Sequence, residues 1–279
     1  MRILITGGNG IIGTALIDIP YPKVFIDVTQ RHSSISKEAF VQGNVLDSKL
    51  INQLLKEADV LIHAAGISDS QTKGAEIDTE IMENNIKATK LLFDMACENK
   101  LRKIIFLSSN HAVGMEEVLN APEIYTADGE KKVSVEDFSP DSFYGVSKIF
   151  GEMYGKYIAH NGGPKFISLR VGSVRSAKED HPFAYAEHGV RKGLWERWSP
   201  KYYEQYNRLK AIWQSRKDFA QLAQKCIEYN GPENYLCFYG VSANKNSWFE
   251  LENARNVIGY TPKDSADEMK LEDCTKDGR

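Results

Sequence analysis

The stretch RILITGGNGIIG, Arg2 to Gly13, decides the fold. Ile3, Leu4 and Ile5 form a short apolar run of the kind that fills a parallel strand buried on both faces. Gly7, Gly10 and Gly13 follow at intervals of three, and Ile11, Ile12, Ala15 and Leu16 then carry a helical period. Gly7 permits a tight turn after the strand. Gly10 lets a pyrophosphate approach the backbone, and Gly13 lets helix and sheet pack closely, with the helix N-terminus facing the phosphates. A glycine-rich turn without a ligand has the same composition, but the order strand, turn, helix favours a dinucleotide site.

Reading outward, Lys23 to Val28 is a second strand with Asp27 near its end. A carboxylate there accepts both hydroxyls of an adenosine ribose and repels a 2′-phosphate, which favours NAD over NADP. Arg31 and His32, just beyond, soften that preference. A short strand from Phe40 precedes Asn44, Val45 and Asp47, and Asp47 either caps a helix over Lys49 to Glu57 or approaches the adenine. Val60 to Ile62 runs into His63, Ala64, Ala65 and Gly66, small residues that leave ligand space at a strand's carboxyl end. Ser68, Asp69 and Ser70 open a polar loop on the same rim. A long helix is expected over Glu80 to Asn99, with Asn85 supporting the loops above the cofactor. Lys103 to Leu107 is a central strand that ends in Ser108, Ser109, Asn110 and His111.

Residues 112–142 are expected as an elaborated loop. Phe143 then opens a helix to His160 in which Tyr144 and Lys148 share one face. The ammonium favours the phenolate, so the tyrosine can accept a proton. Lys165 to Arg170 is another strand, closed by Gly172 and Ser173. The periodicity weakens between Ser176 and Asn207, where His181, Phe183, Tyr185, Arg191, Lys192, Trp195, Arg197 and Tyr206 suit either a lid or an insertion packed by its own aromatics. A helix to about Tyr229, a strand over Tyr235 to Tyr239 and a helix ended by Gly259 complete the pattern.

The 279 residues carry a net charge of −3 with both signs mixed, so no basic tract points to nucleic acid. No apolar run approaches membrane-spanning length, and residues 1–20 hold the strand and turn, not a signal peptide. Four cysteines without metal or redox spacing fit reduced thiols and a cytoplasmic setting. No metal is expected.

The glycine turn, His63 to Gly66, Asn85, Ser109 and Tyr144-x-x-x-Lys148 together resemble the extended short-chain dehydrogenase/reductase superfamily across the whole chain. This resemblance implies an α/β fold: a Rossmann-type doubly wound parallel sheet over residues 1–173, with a small substrate lobe mainly in 174–279 and segments near 210–250 returning to the sheet. Within it the sequence is similar to uronate dehydrogenases and to haloarchaeal NAD-dependent glucose-6-phosphate dehydrogenases. The matches are Ser108 to Gly114, Leu169 to Ser173, Arg208 with Trp213, Ser215 and Asp218, and Tyr239 to Asn244 with Trp248. The resemblance implies NAD contacts from Gly7, Gly10, Ile11, Ile12, Gly13, Asp27, Asn44, Val45, Ala64, Ala65, Gly66, Asn85, Tyr144 and Lys148. It implies sugar contacts from Ser68, Ser109, Asn110, His111 and Ser173, with Arg208 gripping a carboxylate, and a catalytic set of Tyr144, Lys148 and Ser109. The substrate is expected to be a sugar acid or sugar phosphate and the assembly to allow a homo-oligomer; an epimerase that retains its NAD is the competing activity. Two departures stand out: the chain between Ser173 and Arg208 is much longer than in typical uronate dehydrogenases, and Ala64-Ala65 replaces their usual Leu-Gly after the histidine.

Overall fold

The computed structural model describes residues 1–68, 74–126 and 132–275. Asp69 and Ser70 of the polar loop lie outside the described residues. Seven strands, β1 (Ile3–Thr6), β2 (Lys23–Asp27), β3 (Phe40–Gln42), β4 (Val60–His63), β5 (Lys103–Ser109), β6 (Lys165–Val171) and β7 (Tyr235–Gly240), form one sheet in the order β3-β2-β1-β4-β5-β6-β7. Every pairing is parallel. β1, β4 and β5 are buried along their whole length, as expected for strands covered on both faces. The strand order reverses between β1 and β4, and there the carboxyl ends of the strands diverge into a crevice.

The helices are α1 (Ile11–Thr14), α2 (Ser48–Leu55), α3 (Ala75–Ile81), α4 (Ala88–Glu98), α5 (Gly114–Asn120), α6 (Phe143–His160), α7 (Ala184–Arg191), α8 (Pro200–Ile212), α9 (Arg216–Glu228), α10 (Glu252–Ile258) and α11 (Leu271–Thr275). None is long and apolar enough to cross a membrane among the described residues. Leu16, Phe219, Leu222, Ile227 and Ile258 cover one face of the sheet, and Ile51, Leu92, Phe93 and Ile158 cover the other. A third apolar cluster, built on Tyr125, Leu209, Trp213, Tyr239 and Trp248, lies apart and ties α8 to the chain around β7.

Local chemistry explains most boundaries. Asp47 caps α2 by accepting from the Lys49 and Leu50 amides, so of its two expected roles the cap is the one observed. Ser142 accepts from Gly145 and caps α6; Ser199, with Pro200 behind it, caps α8; Ser215 accepts from Asp218 and caps α9.

Three expectations change. The helix after the glycine turn lasts one turn, Ile11–Thr14, and Pro20 and Pro22 keep the turns that follow from resuming a helix before β2. The helix expected over Glu80 to Asn99 is interrupted by a π-helical segment, Met82–Lys87, between α3 and α4. The loop expected over 112–142 contains α5, and the irregular stretch 176–207 contains α7 and the start of α8.

Candidate active site

The crevice holds two cavities that share Ala64 at the end of β4. The smaller, about 200 Å³, is bounded by Gly7, Gly10, Asp27, Asn44, Val45, Ala64, Ala65 and Gly66. Gly7 has a φ of 70°, and a Cβ there would sit 2.7 Å from the Ala65 nitrogen, so β1 and β4 meet at this turn only through glycine. Gly13 faces neither cavity; a Cβ on it would fall 2.3 Å from the Gly7 carbonyl, so it closes the turn from behind.

Asp27 is held in place. Its Oδ2 accepts from the Asn9 amide at 3.0 Å, and its Oδ1 accepts from the Thr29 amide and hydroxyl at 3.0 and 2.8 Å. About four lone-pair sites belong to a carboxylate, so acceptor capacity remains on Oδ2. Arg31 does not reach toward this site: its guanidinium donates to the carbonyls of His32 and Ile35 in its own loop. The softening expected from Arg31 is therefore not supported by its position.

Asn85 lines neither cavity. Its Oδ1 accepts from the Ile67 amide at 2.9 Å, and its Nδ2 donates to the Ile67 carbonyl at 2.8 Å and to Ser147 at 3.1 Å. It ties the loop after β4 to α6, the supporting role foreseen for it, while its amide is committed to protein partners. The π turn aims this side chain inward; such turns recur at functional sites.

The larger cavity, about 540 Å³, lies over β5 and β6 and includes Ile11, Ile12, Ser68, Ser109, Asn110, His111, Tyr144, Lys148, Ser173 and Arg208. Alternation along β5 sends Ser108 to Glu152 beneath the sheet end. Ser109 caps the turn Asn110–Val113 by accepting from the His111 amide at 3.2 Å. Tyr144 stands in the first turn of α6, with Lys148 one turn on. The Lys148 ammonium is buried, donates to the Leu107 carbonyl at 2.9 Å and lies 5.4 Å from the Tyr144 ring centre. Burial pushes its pKa down to about 8, against the opposing pull of Glu152. The His111 ring meets Tyr144 edge-on at 5.6 Å, and its Nδ1 donates to Asp141 at 2.8 Å. Burial raises the Asp141 carboxyl, but the bonds from His111 and Ser142 outweigh it and hold the group below the usual range. An ionised acceptor on Nδ1 leaves Nε2 without the proton in neutral imidazole.

Ser173 is stitched to the α8 end by a bridge to Trp213, its amide donating to the Ile212 carbonyl at 2.7 Å. Arg208 reaches the cavity from α8, but its Nε and Nη2 donate to Glu117 at 2.9 and 3.0 Å. The edge expected to grip a substrate carboxylate already holds a protein carboxylate. The long stretch before Arg208 is partly packed on itself: Phe183 stacks on Tyr206 at 4.5 Å, Arg191 pairs with Glu179 and Arg197 with Glu187. It also forms a cavity wall through Tyr185 and Gln205.

Sequence reasoning missed Arg175, which lines the cavity 4.3 Å from the Tyr185 ring; its Nη2 pairs with Glu179 at 3.8 Å, and its buried Nε has no hydrogen-bond partner among the described residues. Its position two residues beyond Ser173 was the available signal. Asp141 and Glu117 were missed because each acts through a partner distant in sequence.

The residues fit a dinucleotide. Gly7 and Gly13 leave no room for side chains at the turn, Asp27 keeps acceptor capacity, and two apolar side chains in the crevice, Ile11 and Val28, stand 42 % and 59 % exposed as if for a ligand to cover. The profile of the NAD dependent epimerase/dehydratase family matches residues 3–192. An NAD-dependent glucose-6-phosphate dehydrogenase of Haloferax volcanii is 29 % identical, covering 97 % of this chain and 96 % of its own. An L-arabinose 1-dehydrogenase (NAD(P)(+)) of the same organism is 27 % identical, covering 95 % and 97 %. The crystal structure of a uronate dehydrogenase from Agrobacterium tumefaciens superposes with a TM-score of 0.72 at 24 % identity, covering 95 % of this chain and 85 % of that one. On the glycine turn, the parallel sheet and the family match over more than half its length, this chain is an NAD-dependent enzyme of the epimerase/dehydratase family.

Proposed function

We propose that the chain oxidises a cyclic sugar at its anomeric carbon. One arrangement carries this reading: Tyr144 and Lys148 on one turn of α6 and Ser109 at the end of β5 face a single cavity next to the dinucleotide crevice. Tyr144 takes the proton of the anomeric hydroxyl, and Ser109 holds the same oxygen by a hydrogen bond. Lys148, anchored by the Leu107 carbonyl, lends its charge to the phenolate and, as the family resemblance implies, would hold the nicotinamide ribose. His111, aligned by Asp141, presents Nε2 as an acceptor for a sugar hydroxyl. Gly7, Gly10, Ile11, Ile12, Asp27, Asn44, Val45 and the Ala64–Gly66 segment, which line the two cavities, would hold NAD, with Gly13 and Asn85 shaping the turn and loop around it. When bound, NAD would supply the hydride acceptor for the anomeric carbon, and the sugar that has lost a hydride there and a proton to Tyr144 is a lactone that water opens.

A hexuronate is the substrate implied by the resemblance of Arg208, Trp213, Ser215 and Asp218 to the uronate dehydrogenases. The Glu117 pair favours a second reading, a sugar without a carboxylate. A sugar phosphate draws less support from the lid cations, since Arg191 and Arg197 are paired within their own segment and Arg175, which lines the cavity, shares Glu179 at 3.8 Å.

The test is net NADH formation from NAD with glucuronate, galacturonate, glucose 6-phosphate, arabinose and glucose. At least one sugar is expected to turn over, and Tyr144→Phe to lower kcat by about a hundredfold or more with folding intact. Sugar interconversion without net NADH would make the chain an epimerase. A near-normal rate in Tyr144→Phe would reject Tyr144 as the base.

A further inference from the structure

Arg208 lies between two spaces. It lines the cavity of Ser109 and Tyr144, and also a second cavity of about 510 Å³ bounded by Pro122, Tyr125, Pro200 and Tyr203. Between them its guanidinium is gripped by Glu117 through two parallel bonds, Nε to Oε1 at 2.9 Å and Nη2 to Oε2 at 3.0 Å. This is the geometry by which an arginine recognises a carboxylate. Glu117, on α5, is the more buried partner, its side chain 8 % exposed against 27 % for Arg208. Its Oε1 takes a further hydrogen bond from the Tyr125 hydroxyl at 2.7 Å. Three donors thus hold Glu117 in the posture of a bound acid.

A substrate carboxylate approaching this arginine has two routes, and both are unfavourable. It can displace Glu117, which strands a buried carboxylate without its cation. Or it can take the remaining Nη protons, which places two carboxylates on one guanidinium at close range. A sugar hydroxyl meets neither obstacle, because the remaining protons can donate to it while Glu117 stays paired.

We infer that Glu117 determines specificity: by supplying Arg208 with a carboxylate from within the chain, it turns this end of the cavity toward an uncharged aldose and against a uronate. The inference rests on the sugar-dehydrogenase reading above and chooses between its two substrates.

Glu117→Gln keeps the side chain's shape and an oxygen for Tyr125 while removing the charge. Calorimetric titration of glucose and of glucuronate into the NADH-loaded protein reads binding without turnover, and NADH formation from NAD is measured beside it. The parent is expected to prefer glucose, and Glu117→Gln to raise the glucuronate-to-glucose affinity ratio by about tenfold or more. A parent that prefers glucuronate, or a ratio unmoved in Glu117→Gln, overturns the assignment. Arg208→Lys gives a check that keeps both charges: it should weaken glucose and glucuronate by the same factor, and a selective loss of glucuronate by about tenfold would restore Arg208 as a substrate clamp and overturn the role of Glu117. If no sugar forms NADH while Glu117→Gln still gains glucuronate affinity, the reaction is wrong and the charge assignment stands.

Discussion

His63 illustrates how one residue beneath the site is held. Its Nδ1 lies 2.8 Å from the Thr6 hydroxyl and its Nε2 2.9 Å from the Thr89 hydroxyl, and its ring packs against Phe93 and Phe106. Burial, and then the charge of Lys148, push its pKa down to about 3, so it is neutral in the folded protein at ordinary pH. An unfolded histidine takes up its proton near pH 6.5. Below that value the unfolded chain therefore binds a proton the folded chain refuses, and stability is full above pH 6.5 and lost progressively toward pH 3. Between pH 7.5 and pH 5 this residue should remove about 2 kcal/mol of unfolding free energy. Urea titrations at the two pH values, in the parent and in His63→Asn, read it directly: the variant should lose less on acidification by about that amount, and equal losses would contradict the burial argument. His63 was visible in the sequence only as the residue before Ala64. Its neutral, doubly bonded state was not, because Thr6 and Thr89 come from two other elements.

At the scale of elements, α6 matters most, since it carries Tyr144 and Lys148. Its span from Phe143 to His160 was read from sequence, and the Tyr–Lys spacing put both side chains on one face; the Ser142 cap at its start emerged only in the structure. The sequence did not announce the anchor. Glu152, two turns into the helix, receives the Arg170 guanidinium of β6 through Nε and Nη2 at 2.9 and 2.8 Å, with both side chains fully buried. Arg170 also donates to the Asp137 carbonyl and the Tyr239 hydroxyl. Removing one partner of such a pair leaves an uncompensated buried charge. Glu152→Ala should therefore cost about 3–5 kcal/mol of stability, read by denaturant unfolding; a loss under about 1 kcal/mol would show the pair to be dispensable. The π segment around Asn85 escaped notice for a related reason. Its apolar residues continue the period of α4, and one extra residue in a turn hardly disturbs a helical pattern read from sequence. α5 escaped because seven residues carrying two glutamates have too little apolar period to stand out.

Across the whole molecule, the two halves of the crevice differ in how local their making is. The smaller cavity is walled by the first three strands and β4, each contributing residues at its own carboxyl end, and Gly7, Gly10, Asp27, Asn44, Val45 and Ala64 to Gly66, all singled out from sequence, line it, whereas Gly13 and Asn85 stand behind it. The sugar half draws on β5, α6, β6, α7 and α8. Ser109, Tyr144 and Lys148, the groups proposed to react, could be singled out because a strand end and a helical spacing mark them, and they line this one cavity. Its selectivity was not legible, because Glu117 meets Arg208 across 91 positions and Arg175 meets Tyr185 across a segment with weak periodicity. The central claim, that the anomeric carbon of a sugar gives up its hydrogen with Tyr144 as the base, has a direct measurement. The enzyme is incubated with NAD and the best sugar of the panel carrying deuterium at the anomeric carbon, and the reduced cofactor and the sugar are analysed by mass spectrometry. One deuterium should appear in the reduced cofactor for each sugar oxidised, with the lactone or its acid free of label at that carbon, and Tyr144→Phe should suppress the transfer by about a hundredfold. Label retained in the sugar product, or an epimerised sugar formed without net reduced cofactor, would contradict it.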